Sequence, residues 1–243
     1  MCGLQSAVAD PIVSLRLADV PNQRGPHHCG VVGPRPGQGS EQRTVTSMGT
    51  PLDELDEFAG RLVRLRGVRA EDGPAFLAMD RDTDGARRWD ETNLPRTDDR
   101  SRAWLEGQIT KDRSDDSAFL AIERLEDGAV VGSMSVGRAS PRHGRFGYGL
   151  GIASEYRRRG YGTEAITLLL RFYFGELRYA KCDTSIYSFN EPSLRLHEKL
   201  GFRTEGRIRQ AIFTAGEHHD EILVGITSTE FFALHAAPAV SGG

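Results

Sequence analysis

The 243-residue sequence has no apolar run long enough to cross a membrane. Its longest apolar stretches, such as residues 76–79 and 168–170, fall far short of the ~18 residues that a spanning helix needs. The first twenty residues also lack the continuous apolar core of a secretory signal, because Asp10, Pro11 and Arg16 interrupt it. We therefore expect a cytoplasmic protein with no membrane partner.

Cysteine is scarce, and several nucleotide-binding signatures are missing. The three cysteines are odd in number and have no metal-ligand spacing, so we expect neither a disulfide framework nor a metal site. There is no Gly-Lys-Ser/Thr sequence of a P-loop and no three-glycine spacing of a dinucleotide fold. These absences argue against ATP and NAD as ligands.

Charge is unevenly distributed along the chain. Residues 138–210 contain 14 Arg and Lys against 7 Asp and Glu, whereas the rest contains 17 against 27. A basic region favours a polyanionic ligand such as a phosphorylated cofactor, and an acidic region favours a cationic substrate. Chance clustering on a solvated surface explains the charge alone equally well. The net charge of −3 argues against a nucleic-acid partner.

The composition divides the chain into three parts. Residues 1–47 are rich in Gly and Pro without a sustained period, which predicts a disordered extension and leaves Met48 as a hypothetical start of translation. Residues 48–235 alternate strand-like and helix-like patterns and predict one mixed α/β domain. Residues 236–243 are expected to form a flexible tail.

Within the domain, apolar periodicity, caps and turn residues predict the individual elements. Helices are expected at 70–79, after Thr97, at 160–177 and at 192–200, and strands at 61–68, 117–124, 129–136, 146–153, 182–187, 208–213 and 221–227.

The most informative stretch is residues 149–165, where a strand ends, a loop with three arginines and two glycines turns, and a helix begins. Glycines let the backbone approach a ligand, and the free N–H groups and dipole of a helix N-terminus attract phosphate. The loop is therefore a candidate anion-binding site, although a glycine-containing turn before a helix is often only a turn.

This stretch resembles the GNAT (GCN5-related) N-acetyltransferase superfamily, whose acetyl-CoA signature is Q/R-x-x-G-x-G/A. Arg157, Gly160 and Gly162 fit that signature. Further motifs resemble the RimJ/RimL-like branch of ribosomal-protein and drug acetylases, over about residues 60–230: Thr163-Glu164-Ala165, Asn190-Glu191-Pro192-Ser193, residues 198–202, residues 205–210, Gly216 and His219-Asp220.

The resemblance implies a fold and a cofactor site. The fold would be a mixed, mostly antiparallel central sheet flanked by helices and splayed where acetyl-CoA enters. Backbone groups of Gly151 and Ile152 would bind the pantetheine arm and the thioester carbonyl. Asn190 would touch the cofactor or, alternatively, cap its helix. Backbone amides of the loop would hold the pyrophosphate, with these residues lining it: Arg157, Arg158, Arg159, Gly160, Tyr161, Gly162 and Thr163.

The resemblance also implies direct attack by a neutral amine on the acetyl group. Many GNAT enzymes protonate the leaving thiolate with a tyrosine seven residues after the asparagine, but that position is His197 here. Either His197 or Ser193, one helical turn earlier and also a candidate cofactor contact, is the candidate acid. The alternative for His197 is an ordinary helix-surface residue. The predicted strand 146–153 carries no carboxylate.

Candidate proton acceptors therefore come from elsewhere in the chain. Asp220 follows the final hairpin turn and would serve either as base or as a residue that fixes the hairpin; Tyr187 is another possibility. Trp89 and Asp90 lie in a loop that the family uses to shape its acceptor groove, although Trp89 would also suit a core position.

The implied function is acetyl transfer from acetyl-CoA to a primary amine, either a protein N-terminus or a small molecule, by a protein that could be a homodimer. A non-catalytic CoA-binding module is the alternative, favoured by the missing tyrosine and the missing strand carboxylate.

Overall fold

The computed structural model describes residues 57–88, 97–111 and 116–235. Expectations for residues 1–47, for Met48, for Trp89 and Asp90 and for the tail 236–243 lie outside the described residues. Within the described part, no helix combines the length and the apolar character needed to cross a membrane.

The described residues contain seven strands, six α-helices and two short 3₁₀ helices, Ala70–Asp72 and Ser154–Tyr156. The strands are β1 (Val63–Gly67), β2 (Ala118–Arg124), β3 (Val130–Ser140), β4 (Arg145–Ile152), β5 (Lys181–Tyr187), β6 (Arg203–Thr214) and β7 (Glu217–Thr227). The helices are α1 (Gly73–Asp80), α2 (Thr83–Arg88), α3 (Asp98–Thr110), α4 (Tyr161–Gly175), α5 (Glu191–Lys199) and α6 (Ser228–His235).

All seven strands form one sheet in the order β1-β2-β3-β4-β5-β7-β6. Neighbouring strands run antiparallel except β4 and β5, which are parallel. The predicted mixed, mostly antiparallel sheet flanked by helices is therefore confirmed.

Helices cover the two faces of the sheet. The apolar side of α4 packs on one face, where Ile166, Leu169 and Leu170 join Phe146 of β4 in the main core. On the other face, α1 and α3 bury a smaller cluster around Phe119 of β2. Amphipathic spacing explains α4, whose residues on one side are nearly all buried.

The strands and helices differ from the sequence expectations mainly at the ends and in two short helices. Strands β6 and β7 extend further than 208–213 and 221–227, because their hairpin continues through exposed polar residues that show no apolar alternation. The short helices α2 and α6 were not predicted. Helix α2 has only six residues, too few for a periodic apolar pattern to be visible.

Candidate active site

Strands β4 and β5 pair only at their beginnings and then separate. Backbone pairing joins Arg145 to Lys181 and Phe146 to Cys182, and no further pair of these strands is present in the described residues. One side-chain bond crosses the opening, from Thr184 Oγ1 to the carbonyl of Tyr148 at 2.8 Å. We call the opening between residues 147–152 and 183–187 the β4–β5 gap; it is the splay that the family resemblance implies.

The β3–β4 ladder decides which backbone groups of β4 face this gap. Ala153 donates its N–H to Val131, which places 153 and 131 in a hydrogen-bonded pair of the antiparallel register. Because hydrogen-bonded and non-hydrogen-bonded pairs alternate, the N–H and C=O groups of Tyr148, Leu150 and Ile152 point away from β3 and toward the gap. The N–H groups of Leu150 and Ile152 are therefore donors aimed at whatever enters it.

The loop after β4 supplies a second set of donors. Among the described residues, no backbone partner accepts from the amides of Arg158 through Thr163, and the first helical bond of α4 is donated by Glu164 to the carbonyl of Gly160. The first amides of a helix have no intrahelical acceptor and carry its positive dipole end. This loop thus offers a row of N–H groups to an anion.

Two glycines give the loop its shape. Gly160 has φ of +87°, in the left-handed region, just before α4 begins. Gly162 lies under three side chains, because an added Cβ would meet Leu150 at 3.3 Å and Ile152 and Leu196 at 3.7 Å. Its lack of a side chain lets the start of α4 approach β4 and α5.

Two charged side chains hold the loop from behind. The carboxylate of Glu164 accepts the backbone N–H groups of Arg61, Leu62 and Val63 at 2.7–2.8 Å, which ties the start of α4 to β1. The side chain of Arg157 donates to the carbonyl of Ile152 at 3.0 Å and pairs with Asp82 at 2.9 Å. Arg157 therefore contacts the protein through its side chain, whereas Arg158 and Arg159 are exposed.

His197 lies on the buried side of α5, where the helix packs against β4, and not on the exposed side. Its side chain is 5% exposed, its Nδ1 lies 2.8 Å from the carbonyl of Ser193, and its Nε2 lies 2.9 Å from the hydroxyl of Tyr148. A carbonyl only accepts, so Nδ1 carries the proton and neutral Nε2 accepts from Tyr148. Burial lowers the pKa of His197 below its ordinary value and raises the pKa of Tyr148 well above its own.

Ser193 and Asn190 stand at the start of α5, beside the gap. Ser193 is partly exposed and its Oγ lies 3.4 Å from Nδ1 of His197, so its own hydrogen is free to donate elsewhere. Asn190 occupies the N-cap position, but its side chain does not cap the helix; its Oδ1 accepts from Arg88 at 3.2 Å.

Asp220 lies in the β6–β7 hairpin. Its Oδ1 accepts the backbone N–H of Gln210 at 2.8 Å, and Oδ2 pairs with Arg207. Gln210 has φ of +51° beside the register shift in β6, so the carboxylate fixes an irregular stretch of the hairpin. These bonds lower the pKa of Asp220 below its ordinary value. The contacts fit the hairpin-fixing alternative; a role as base stays a prediction.

On the face of the sheet opposite α4, glycines leave β4 without side chains. Phe146 and Cys182 lie in the main core, and side chains alternate along a strand, so Gly147, Gly149 and Gly151 turn to the opposite face. Their antiparallel partners on β3 there are Gly137, Ser135 and Ser133. Helices α4 and α5 cover the side of β4 that faces the main core; on the glycine side, Gly149 is exposed, whereas Gly147 and Gly151 are buried.

Tyr187 and Glu221 lie on the same face of the sheet as Gly147, Gly149 and Gly151, at the end of β5. They are direct partners in the β5–β7 ladder, and cross-strand partners share a face. Tyr187 is buried, whereas Glu221 is partly exposed and no described residue pairs with its carboxylate. No sequence motif marks Glu221, because only the strand register brings it beside Tyr187.

A parallel strand pair that opens into a gap, with free amides at the following helix, is the architecture of an acyl-CoA-dependent transferase. The model of the acetyltransferase (GNAT) domain family matches residues 62–203. The chain therefore belongs to the GNAT acetyltransferase family and is an acyl-transferring enzyme. Acetyl-CoA is the acyl donor of that family.

Named relatives agree with this assignment. The chain is 39% identical over 178 residues to the SPbeta prophage-derived uncharacterized N-acetyltransferase YokL of Bacillus subtilis (strain 168), which covers 73% of this chain and 97% of that protein. A GCN5-related N-acetyltransferase from Brucella melitensis matches with a TM-score of 0.62 and 29% identity, over 73% of this chain and 80% of that one.

A second similar structure is the spermidine N-acetyltransferase from Vibrio cholerae, solved in complex with CoA and spermine. It matches with a TM-score of 0.62 over 70% of this chain and 98% of that one. Its 18% identity supports the shared fold alone.

Proposed function

We propose that the protein transfers the acetyl group of acetyl-CoA to a primary amine by direct attack, with both substrates bound together. The observation that carries this proposal is the row of unpaired amides from Arg158 to Thr163 beside the β4–β5 gap. These donors suit the pyrophosphate of CoA, and the gap beside them suits an extended pantetheine arm.

The donors of β4 provide the electrostatic part of the reaction. As the amine nitrogen bonds to the acyl carbon, negative charge develops on the acyl oxygen. The N–H groups of Leu150 and Ile152 point into the gap and are already fixed by the β3–β4 ladder. Prearranged donors of this kind stabilise such charge without reorganising. The C–S bond then breaks, and the thiolate takes a proton.

Ser193 is the proposed donor of that proton. It is partly exposed at the start of α5, and Nδ1–H of His197 faces its oxygen atoms, so the serine hydrogen is not donated to the histidine and is available to the thiolate. His197 is enclosed and has both ring nitrogens engaged, so it acts through Ser193 as a positioning residue. The amine must also lose a proton, since its ammonium pKa is ~8 to ~10 in water.

Glu221 is the proposed recipient on the acceptor side. An ammonium group that approaches the exposed Gly149 on this face of β4 has this unpaired carboxylate on the same face of the sheet, one strand beyond β5. Tyr187 forms the adjacent wall. Asp220 follows as the second candidate base, although its bonds to Arg207 and Gln210 already occupy both carboxylate oxygens.

The finer assignments are parts of the same proposal. We place the enzyme in the RimJ/RimL-like branch because of the motifs around Asn190–Ser193 and Glu205–Gln210, and its acceptor is a cationic primary amine, on a small molecule or at a protein N-terminus. Cytoplasmic location and homodimer formation stay predictions.

A CoA-release screen tests the proposal. The purified chain is incubated with acetyl-CoA and either peptides with free N-termini, polyamines or aminoglycosides, and free thiol is measured. We expect amine-dependent release of CoA with at least one class. Tight CoA binding with no release from any amine would support the non-catalytic CoA-binding module instead.

A further inference from the structure

The short helix α2 is tied to other elements at both of its ends. At its start, Asp82 and Asp84 pair with Arg157 at 2.9 and 3.5 Å. Asp82 also accepts the backbone N–H of Gly85 at 3.0 Å, which fixes the first turn of the helix. Arg157 in turn donates to the carbonyl of Ile152, so the start of α2 is joined to the end of β4.

The other end of α2 reaches the far side of the gap. Arg88, its last residue, pairs with Asp84 one turn earlier at 3.1 Å and donates to Oδ1 of Asn190 at 3.2 Å. Asn190 follows β5 and begins α5. The six residues of α2 span about 9 Å, which is about twice the usual spacing of two paired strands. A helix of this length can connect the end of β4 to the end of β5 only where these strands have separated.

The packing at Gly85 shows that the first turn of this bridge is tight. An added Cβ would lie 2.8 Å from Oδ2 of Asp82 and 3.0 Å from a guanidinium nitrogen of Arg157. A residue larger than glycine at position 85 would push apart Asp82 and Arg157, the ion pair that joins α2 to the loop after β4.

The Arg88 contact also fixes the orientation of the Asn190 amide. A guanidinium has donors only, so the amide oxygen must face it, and the amide NH₂ group is turned away. The two aspartates balance both arginines at once, since Asp84 pairs with each of them. A continuous series of hydrogen bonds and ion pairs therefore runs from the end of β4 through α2 to the start of α5.

We propose that Arg88 is a positioning residue for donor binding: through α2 it holds the gap at its working width and presents the NH₂ group of Asn190 to acetyl-CoA. This inference rests on the proposed function only in taking acetyl-CoA as the occupant of the gap. It requires no particular amine, and it is tested by binding as well as by turnover.

The experiment compares Arg88→Gln with Arg87→Gln by calorimetric titration of acetyl-CoA. Arg87 precedes Arg88 on the same helix, and no described residue pairs with its side chain. We expect Arg88→Gln to weaken acetyl-CoA binding about three- to tenfold, the loss of one charged hydrogen bond, and Arg87→Gln to change it less than about twofold. Arg88→Lys, which keeps a charged donor, should recover part of the loss.

A double-mutant cycle with Asn190→Ala separates positioning from general damage to α2. We expect Asn190→Ala to weaken binding by itself and to abolish the effect of Arg88→Gln. The proposal is overturned if Arg88→Gln behaves like Arg87→Gln, if its effect persists undiminished without Asn190, or if Asn190→Ala leaves the affinity unchanged. A cycle as expected with no turnover of any amine would instead count against the proposed acceptor reaction.

Discussion

The hydroxyl of Tyr148 lies 2.9 Å from Nε2 of His197, where β4 passes α5. The contact joins the strand that borders the gap to the helix that carries Ser193, and Phe202 packs against both rings. It excludes the helix-surface alternative for His197, because the residue is buried and its Nε2 accepts from Tyr148. Tyr148 therefore belongs to the site although no motif marks it.

Replacing Tyr148 tests this contact. Tyr148→Phe removes the only proton that a described residue offers to Nε2 and leaves a buried acceptor unpaired, so we expect a loss of about 1–3 kcal/mol in the free energy of unfolding. Urea unfolding at pH 8 measures it. In a His197→Leu background the same change should cost much less. Equal costs in both backgrounds would show that the tyrosine acts through packing alone.

The acid side of the reaction can be separated from the histidine by pH. Because burial lowers the pKa of His197 below its ordinary value and both nitrogens are engaged, its ionisation should not appear in turnover between pH 7 and 9. We expect His197→Gln to lower kcat without changing the shape of the pH profile, and Ser193→Ala to lower kcat further. A basic or acidic limb that disappears in His197→Gln would make the histidine itself the acid.

A buried ion cluster at β1 predicts the acid stability of the fold. Burial alone would raise the pKa of Asp72 and Glu123, but it is outweighed by the hydrogen bonds and charges of Arg66 together with those of Arg69 at Asp72 and Arg64 at Glu123, so the pKa of both carboxyls lies below its ordinary value. Such a carboxyl stabilises the fold at pH values above its pKa in the unfolded chain, which is ~4. The stabilisation is lost as the pH falls through the lower pKa of the folded state.

Urea midpoints at pH 7 and pH 3 measure this dependence. We expect Asp72→Asn to lower the midpoint clearly at pH 7 and to flatten the decline toward pH 3. The control is Asp99→Asn, whose side chain is 89% exposed in a surface pair with Arg102 and should change little. An unaltered slope in Asp72→Asn would remove this carboxyl from the acid response.

How much of this could be predicted from the sequence depends on the sequence separation of the contacts. Gly160 and Gly162 belong to one local turn, so their spacing alone indicated the loop and, with later motifs, the fold. Strand and helix positions followed from apolar periodicity for the same reason. The burial of His197 could not be predicted in this way, because its neighbours on α5 are charged and its ring packs against Tyr148, which lies 49 residues away in the sequence.

Long-range pairs also explain the other residues that were missed. Glu221 gains its place from the β5–β7 register, and Arg88 gains its place from a contact 102 residues along the chain. Neither lies in a recognisable motif. The family resemblance supplied Asn190, but the partner of its amide came only from the packing of α2.

The acceptor carboxylate is tested by Glu221→Gln. Loss of the charge should raise KM for a cationic amine about tenfold and leave acetyl-CoA affinity nearly unchanged, because Glu221 lies on β7, one strand beyond the gap. Glu217→Gln, at the exposed start of the same strand, is the matched control. Equal KM values for the two variants would exclude Glu221 from amine binding.

The shape of the cofactor loop is tested at Gly160. Alanine there must adopt φ of +87°, so Gly160→Ala should lower the free energy of unfolding by about 1 kcal/mol and weaken acetyl-CoA binding. Gly175→Ala, at the other end of α4, is the control, since an added Cβ there meets no described heavy atom within 4 Å. If both variants bind acetyl-CoA like the parent, the left-handed turn is not needed for the cofactor.

Binding of the CoA pyrophosphate by the loop after β4 is tested most directly by ¹⁵N–¹H NMR, which follows the backbone amides of residues 158–163 during titration with acetyl-CoA. We expect the amide resonances of residues 158–163 to shift and their hydrogens to exchange more slowly as acetyl-CoA binds, while the resonance of Gly175 stays unchanged. Saturable binding that leaves the amides of 158–163 where they were would contradict it.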